Sequence, residues 1–179
     1  MKKALVVVDY QNDFIDGSLG FEKAALIKEN ILSLLKNFNG DFLFTFDTHY
    51  EDYLGTREGK NLPILHCQDE SLGHKMPSDF DIYLKKARKI FKKQSFGSLE
   101  LANFIKEEQY KSIEFCGLVS HICVFSNIIL AFNAALNAEI VLHQNACASF
   151  DDELEEAAFK ILKAYGVKIL STTLTPTVT

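Results

Sequence analysis

The sequence predicts an α/β protein with three layers, α/β/α, around a central, mainly parallel sheet of five to six strands. Three observations carry that prediction. Short apolar, β-branched runs alternate with longer segments of helical period, which is the pattern of a layered parallel sheet. The first run, "ALVVVD" (4–9), is apolar without interruption, as strands covered on both faces are. The length of 179 residues and the 47% hydrophobic content suit one domain, 1–179, with a sizeable core.

The elements follow in order. "EKAALIKENILSLLKNF" (22–38) sets Ala24, Leu26, Ile27, Ile31, Leu34 and Leu35 at helical spacing. "DFLFTFD" (41–47) is a second strand and ends, like the first, on an aspartate. Residues 50–79 hold Gly55, Gly59, Gly73 and two prolines with little period. They predict a long connection, and such connections often carry function. "RKIFKK" (88–93) is a short strand, "SLELANFIKEE" (98–108) a helix and "SIEFCG" (112–117) a strand. "SHICVFSNIILAFNAALN" (120–137) is a helix apolar on most faces, and "AEIVLH" (138–143) is a strand. "DDELEEAAFKILKAYG" (151–166) is a helix with acids in its first turn, where the helix dipole favours them. "VKIL" (167–170) closes the sheet, and "STTLTPTVT" (171–179) is a loose end or a contact arm.

Charge and composition exclude several classes. A net charge of −5 argues against nucleic acid as a partner. No segment approaches the roughly 20 apolar residues of a membrane span, which argues against a membrane. "MKKALVVVDY" starts like a signal peptide, but its apolar run is short and Asp9 breaks it. The four cysteines, Cys67, Cys116, Cys123 and Cys147, have no paired spacing and predict reduced thiols in a cytoplasmic protein.

Ligands of open α/β sheets bind at the carboxyl ends of the strands. The chemically distinctive residues fall there. Asp9 and Asp47 close the first two strands, with His49 just beyond; Lys93 follows the third and Cys123 the fourth. A thiol attacks a carbonyl as thiolate, and a helix N-terminus or a nearby lysine favours that form. A carboxylate can take the proton, and helix-start amides can hold the oxyanion. Asp9, Lys93 and Cys123 thus make a chemically complete amide hydrolase.

The chain also resembles a known family. "VVVDYQNDF" (6–14), "KKQSFGS" (92–98) and "GLVSHICV" (117–124) are similar to the signature segments of the isochorismatase-like cysteine hydrolases. "FDTHYEDY" (46–53) and "LPILHC" (62–67) resemble the metal segments of its nicotinamidase branch, and "NACAS" (145–149) the stretch after its fifth strand. The resemblance implies the isochorismatase-like hydrolase fold, Asp9 as proton acceptor, Lys93 stabilising charge and Cys123 as nucleophile. It implies a cis peptide at Leu118–Val119 that aims the Val119 and Cys123 amides at the oxyanion. Phe14 matches an aromatic that packs on the substrate ring, Tyr53 offers another face, and Gln11 shapes the pocket floor. Asp47, His49 and His66 would hold a divalent ion, zinc first, with iron or manganese as alternatives. The implied activity is hydrolysis of a small-molecule amide, nicotinamide above others, in the manner of NAD salvage. Self-association into a homo-oligomer is implied too.

The match has departures. "YEDYLGT" lacks the extra histidine of many nicotinamidases, Leu62 stands where an aromatic is common, and the chain has no Trp. One additional residue separates Pro63 from His66. An amidase for a ureido or carbamoyl compound, and a non-catalytic binding protein on the same fold, therefore stand as alternatives.

Plainer readings compete at single positions. A helix-start cysteine is commonly a small buried residue; the surrounding segment turns that reading over for Cys123. Cys116 reads as core, Cys67 as a ligand or a buried neighbour of His66, and Cys147 as a loop or core thiol. Asp9 could cap its turn. Lys92 rivals Lys93, but the resemblance implies a lysine three residues before the aromatic of "F-G-S", here Phe96, and so selects Lys93. Glu58 either orients a metal ligand or is exposed, and His121 reads as an outward surface residue.

Overall fold

The computed structural model describes residues 1–171; most of the expected C-terminal arm, 172–179, lies outside them. Its centre is one sheet of six strands, β1 (Lys3–Val8), β2 (Asp41–Asp47), β3 (Lys89–Lys93), β4 (Ser112–Leu118), β5 (Glu139–Ala148) and β6 (Lys168–Leu170). The order is β3-β2-β1-β4-β5-β6, and every pairing is parallel. This is the doubly wound arrangement, in which chain direction across the sheet reverses between β1 and β4.

Eight α-helices connect the strands: α1 (Asn12–Ile15), α2 (Glu22–Leu26), α3 (Lys28–Asn37), α4 (Arg57–Asn61), α5 (Asp81–Leu84), α6 (Leu99–Glu108), α7 (Phe125–Ala134) and α8 (Asp152–Ala164). Ring contacts identify the two covered faces. Phe42 packs on Phe38, just after α3, and on Tyr83 of α5. Phe91, in register with Thr45 and so on the opposite face from Phe42, packs on Phe104 of α6. The three-layer architecture follows from that alternation. Both faces being covered, residues 4–8 are fully buried, which explains their unbroken apolar run. Among the described residues no helix is long and apolar enough to cross a membrane.

Several boundaries differ from the sequence prediction. The helix expected over 22–38 opens at Ile27, where ψ is −5°, yet its buried stripe of Ala24, Ile27, Ile31 and Leu35 runs across the break. The helix expected from 120 begins as a π-turn, Ser120–Val124, and its α-helical part ends at Ala134. The strand expected to end at 143 continues to Ala148, after a shift in register opposite Phe115–Gly117. "NACAS" is thus mostly strand, because a longer β4 end was there to pair with it. The loop over 50–79 contains helical turns at Tyr53–Gly55, Arg57–Asn61 and Ser78–Phe80.

β4 can lie against β1 at the switch point because of Gly117. Its φ is +118°, and a Cβ there would sit 2.0 Å from the Val8 carbonyl oxygen. Both the backbone angle and the missing space demand glycine. Gly117→Ala is expected to cost about 3 kcal/mol or more, read as a lower midpoint in chemical denaturation.

Candidate active site

Two segments leave the sheet at the switch point. After β1 the chain turns at Asp9, whose φ is +46°, a left-handed conformation uncommon outside glycine. After β4 it passes through a cis peptide at Leu118–Val119 and into the π-turn that carries Cys123. The Val119 carbonyl accepts from the amides of Ile122 and Val124, which folds that turn back on the strand end.

Strand alternation delivers Lys93. Lys92 points outward and bonds Asp69 at 2.6 Å, whereas Lys93 is buried. Its Nζ lies 2.5 Å from Asp9 Oδ2, 3.2 Å from Asp47 Oδ1 and 3.6 Å from Cys123 Sγ. Asp9 Oδ1 accepts from the Thr45 hydroxyl at 2.6 Å. Asp9, Lys93 and Cys123, from three strand ends, thus meet in one buried group.

The electrostatics differ from the expectation of a ready thiolate. Burial pushes the Cys123 thiol well up; the Lys93 charge pulls it down but does not prevail against burial and the charges of Asp9 and Asp47. The thiol therefore rests protonated, hydrogen-bonded to Asp9. Burial also raises the Asp9 carboxyl, against the pull of Lys93. A carboxylate shifted upward is the better proton acceptor. Burial alone would discharge Lys93, but the charges of Asp9 and Asp47 hold it firmly cationic.

Beside this group lies a second one. Asp47, His49, Glu58 and His66 offer ligand atoms all within 4.8 Å of one another. His49 Nε2 is 3.0 Å and His66 Nε2 3.5 Å from Asp47 Oδ2, and the two imidazoles lie 3.7 and 3.8 Å from Glu58 Oε1. Two imidazoles and two carboxylates form a donor set suited to a divalent transition ion. His66 Nδ1 lies 2.8 Å from the Ile64 carbonyl; donating there leaves Nε2 free as a ligand. Burial would raise the Asp47 carboxyl, but the Lys93 charge and the imidazoles of His49 and His66 beside it hold it well below the usual range. Of the two readings of Glu58, the structure selects the inward one. Its carboxyl is raised, first by burial and then by the Asp47 charge.

The remaining expected residues surround these groups. Phe14 stands 5.7 Å from the His66 ring, edge to face. Tyr53 packs on His49 at 4.3 Å and on His66 at 5.2 Å, and its hydroxyl donates to the Leu62 carbonyl. It backs the imidazoles. Gln11 spends both amide protons on the Asp47 and His74 carbonyls and accepts from the Asp47 amide, so it sets the height of Asp47. Cys67 lies outside the metal-ligating group; its amide donates to Asp13 Oδ2 at 2.6 Å. That bond anchors the loop bearing His66, a role the sequence reading did not assign to Asp13. His121 is not the outward residue expected: Nδ1 lies 2.8 Å from Ser149 Oγ and the ring packs on Phe150. A cavity of about 340 Å³ opens alongside, lined among others by Arg57, Glu58, Leu62, Gln94, Phe96 and Ile122. Its walls include the neighbours of both Lys93 and Cys123.

Fold and site define a doubly wound α/β protein with a thiol, a lysine and a carboxylate in one crevice beside four residues able to hold a metal ion. The chain belongs to the isochorismatase family: the isochorismatase domain model matches residues 3–173. It is an isochorismatase-family hydrolase. It is 30% identical over 177 residues to the "Uncharacterized isochorismatase family protein PncA" of Bacillus subtilis (strain 168), covering 86% of this chain and 90% of that protein. The crystal structure of nicotinamidase PncA from Bacillus subtilis is similar at a TM-score of 0.82 and 29% identity, over 94% of this chain and 99% of that one. Pyrazinamidase of Pyrococcus horikoshii in complex with zinc shares the fold at a TM-score of 0.80 and 24% identity, over 96% of this chain and 100% of that one.

Truncating Glu58 tests the ligand set. Glu58→Ala is expected to weaken retention of a divalent ion by about 10- to 100-fold, read by chelator competition, while Cys67→Ala leaves retention unchanged.

Proposed function

We propose that the protein is a cysteine-dependent amidohydrolase that converts nicotinamide to nicotinate and ammonia. The observation that carries this reading is the convergence of Asp9, Lys93 and Cys123 beside Asp47, His49, Glu58 and His66. The nicotinamidase named among the similar structures supports the choice of substrate. Four free cysteines support a reducing, cytoplasmic setting.

The chemistry follows from the resting protonation. As Cys123 Sγ attacks the carboxamide carbon, its proton passes to Asp9, and the Val119 and Cys123 amides hold the oxyanion. Lys93 remains charged and stabilises the growing negative charge. When the tetrahedral adduct collapses, the C–N bond breaks and Asp9 returns the proton to the departing ammonia. Water, deprotonated by Asp9, then attacks the thioester; the C–S bond breaks, the acid leaves and the thiol regains its proton. Asp47, His49, Glu58 and His66 would hold a divalent ion, zinc above iron or manganese, and that ion supplies a Lewis-acid contact for a substrate lone pair.

A second reading has its own observation. Arg57 lines the cavity and makes no ion pair or hydrogen bond among the described residues. A guanidinium there suits a ureido or carbamoyl acid, with the carboxylate toward Arg57. Ammonia release from nicotinamide and from such acids, by metal-replete protein, separates the two. Nicotinamide turnover is expected to be the faster. Cys123→Ala is expected to abolish it, and Asp9→Asn to lower it by about 10²- to 10⁴-fold. Undiminished turnover by Cys123→Ala would refute the nucleophile, and no turnover of any of these amides by the wild type would return the protein to a binding role.

A further inference from the structure

The contact between Lys93 and Cys123 poses a geometric problem. β3 and β4, which deliver them, are separated in the sheet by β2 and β1. At the usual strand spacing that is about 14 Å. The sheet therefore does not by itself fix the 3.6 Å between Nζ and Sγ. Something at the carboxyl ends must tie the loop after β3 to the turn after β4.

One side chain does so. Asn127, in the first turn of α7, is 1% exposed. Its Oδ1 accepts from the Ser98 amide at 2.9 Å. Its Nδ2 donates to the Phe96 carbonyl at 3.1 Å and to the Cys123 carbonyl at 2.8 Å. Among the described residues no other side chain hydrogen-bonds both 94–98 and 120–124. A planar amide offers two donors and an acceptor in fixed directions. All three bonds are therefore met by one rotamer, and all three partners are backbone groups. The Ser98 amide and the Cys123 carbonyl are buried, so those two would be costly to leave unpaired.

We propose that Asn127 is a positioning residue that sets the nucleophile against Lys93. It touches neither substrate nor the reacting sulfur; it acts through the backbones of Cys123 and of the Phe96–Ser98 loop. This rests on Cys123 and Lys93 acting as proposed above. Lys93 is the charge that pulls the Cys123 thiol toward ionisation. Any slippage between the two segments weakens that pull as well as the geometry of attack.

The test is Asn127→Leu, of similar volume and unable to make any of the three bonds. A misplacement of about 1 Å costs on the order of 10²-fold in turnover, so kcat is expected to fall about 10- to 100-fold while KM stays within about threefold. A second readout needs no substrate. The pH midpoint of Cys123 alkylation by iodoacetamide, followed by intact mass, is expected to rise by about one unit as the lysine charge recedes. Ile128→Val, a core deletion one residue along, is the stability control and should change Tm without moving that midpoint. Should Asn127→Leu fail to fold, Asn127→Ser is measured instead; its hydroxyl can keep the bond within the helix but cannot reach the loop. An unmoved midpoint in the folded variant overturns the proposal. If the wild-type protein releases no ammonia from nicotinamide, the substrate assignment fails, and the alkylation midpoint still decides the role of Asn127.

Discussion

The site depends on one buried ammonium. Removing the Lys93 charge from water costs several kcal/mol, and only close, well-placed anions can offset that. Asp9 and Asp47 supply them at 2.5 and 3.2 Å, one from the end of β1 and the other from the end of β2. The same cation faces the Cys123 sulfur at 3.6 Å. Lys93 thereby joins two groups that would otherwise be separate, the thiol with Asp9 and the cluster of Asp47, His49, Glu58 and His66. Without it the two carboxylates could not both remain charged in this interior, since two buried anions so near each other would force one to take up a proton.

Burial keeps the thiol protonated, and the cation beside it keeps it poised for ionisation. Burial outweighs the lysine at Cys123, so no free thiolate is held in an apolar crevice. In the proposed reaction the proton has a short route to Asp9, and the lysine offsets the charge that would appear on attack. An exposed thiolate would be more reactive toward any oxidant; under the proposed mechanism a buried thiol paired with a raised carboxylate would react only once a carbonyl fills the crevice.

Around the charges, side chains that read backbone hold the loops. Gln11 grips both backbone groups of Asp47, Asp13 holds the amide of Cys67 beside His66, and Asn127 spans the segments of Phe96, Ser98 and Cys123. Loops are mobile when their polar backbone is left to water. Here the backbone is bonded to buried amides and carboxylates, so groups borne on loops sit as firmly as groups borne on strands.

Much of this was written in local sequence. Unbroken apolar runs mark strands covered on both faces, period 3.6 marks the helices, and the polar residue ending each run falls at the ligand-binding edge of the sheet. Alternation alone turns Lys93 inward when Lys92 turns out. Those properties depend on neighbours within a few residues, so the chain carries them visibly. Tertiary structure decided the rest. The inward turn of Glu58 and the long β5 follow from contacts with distant segments. The tasks of Gln11, Asp13 and Asn127 were hidden for a further reason: their partners are backbone amides and carbonyls, which every residue but proline carries alike. No spacing can single out such partners, and only the folded chain brings them within 3 Å of the side chain that reads them.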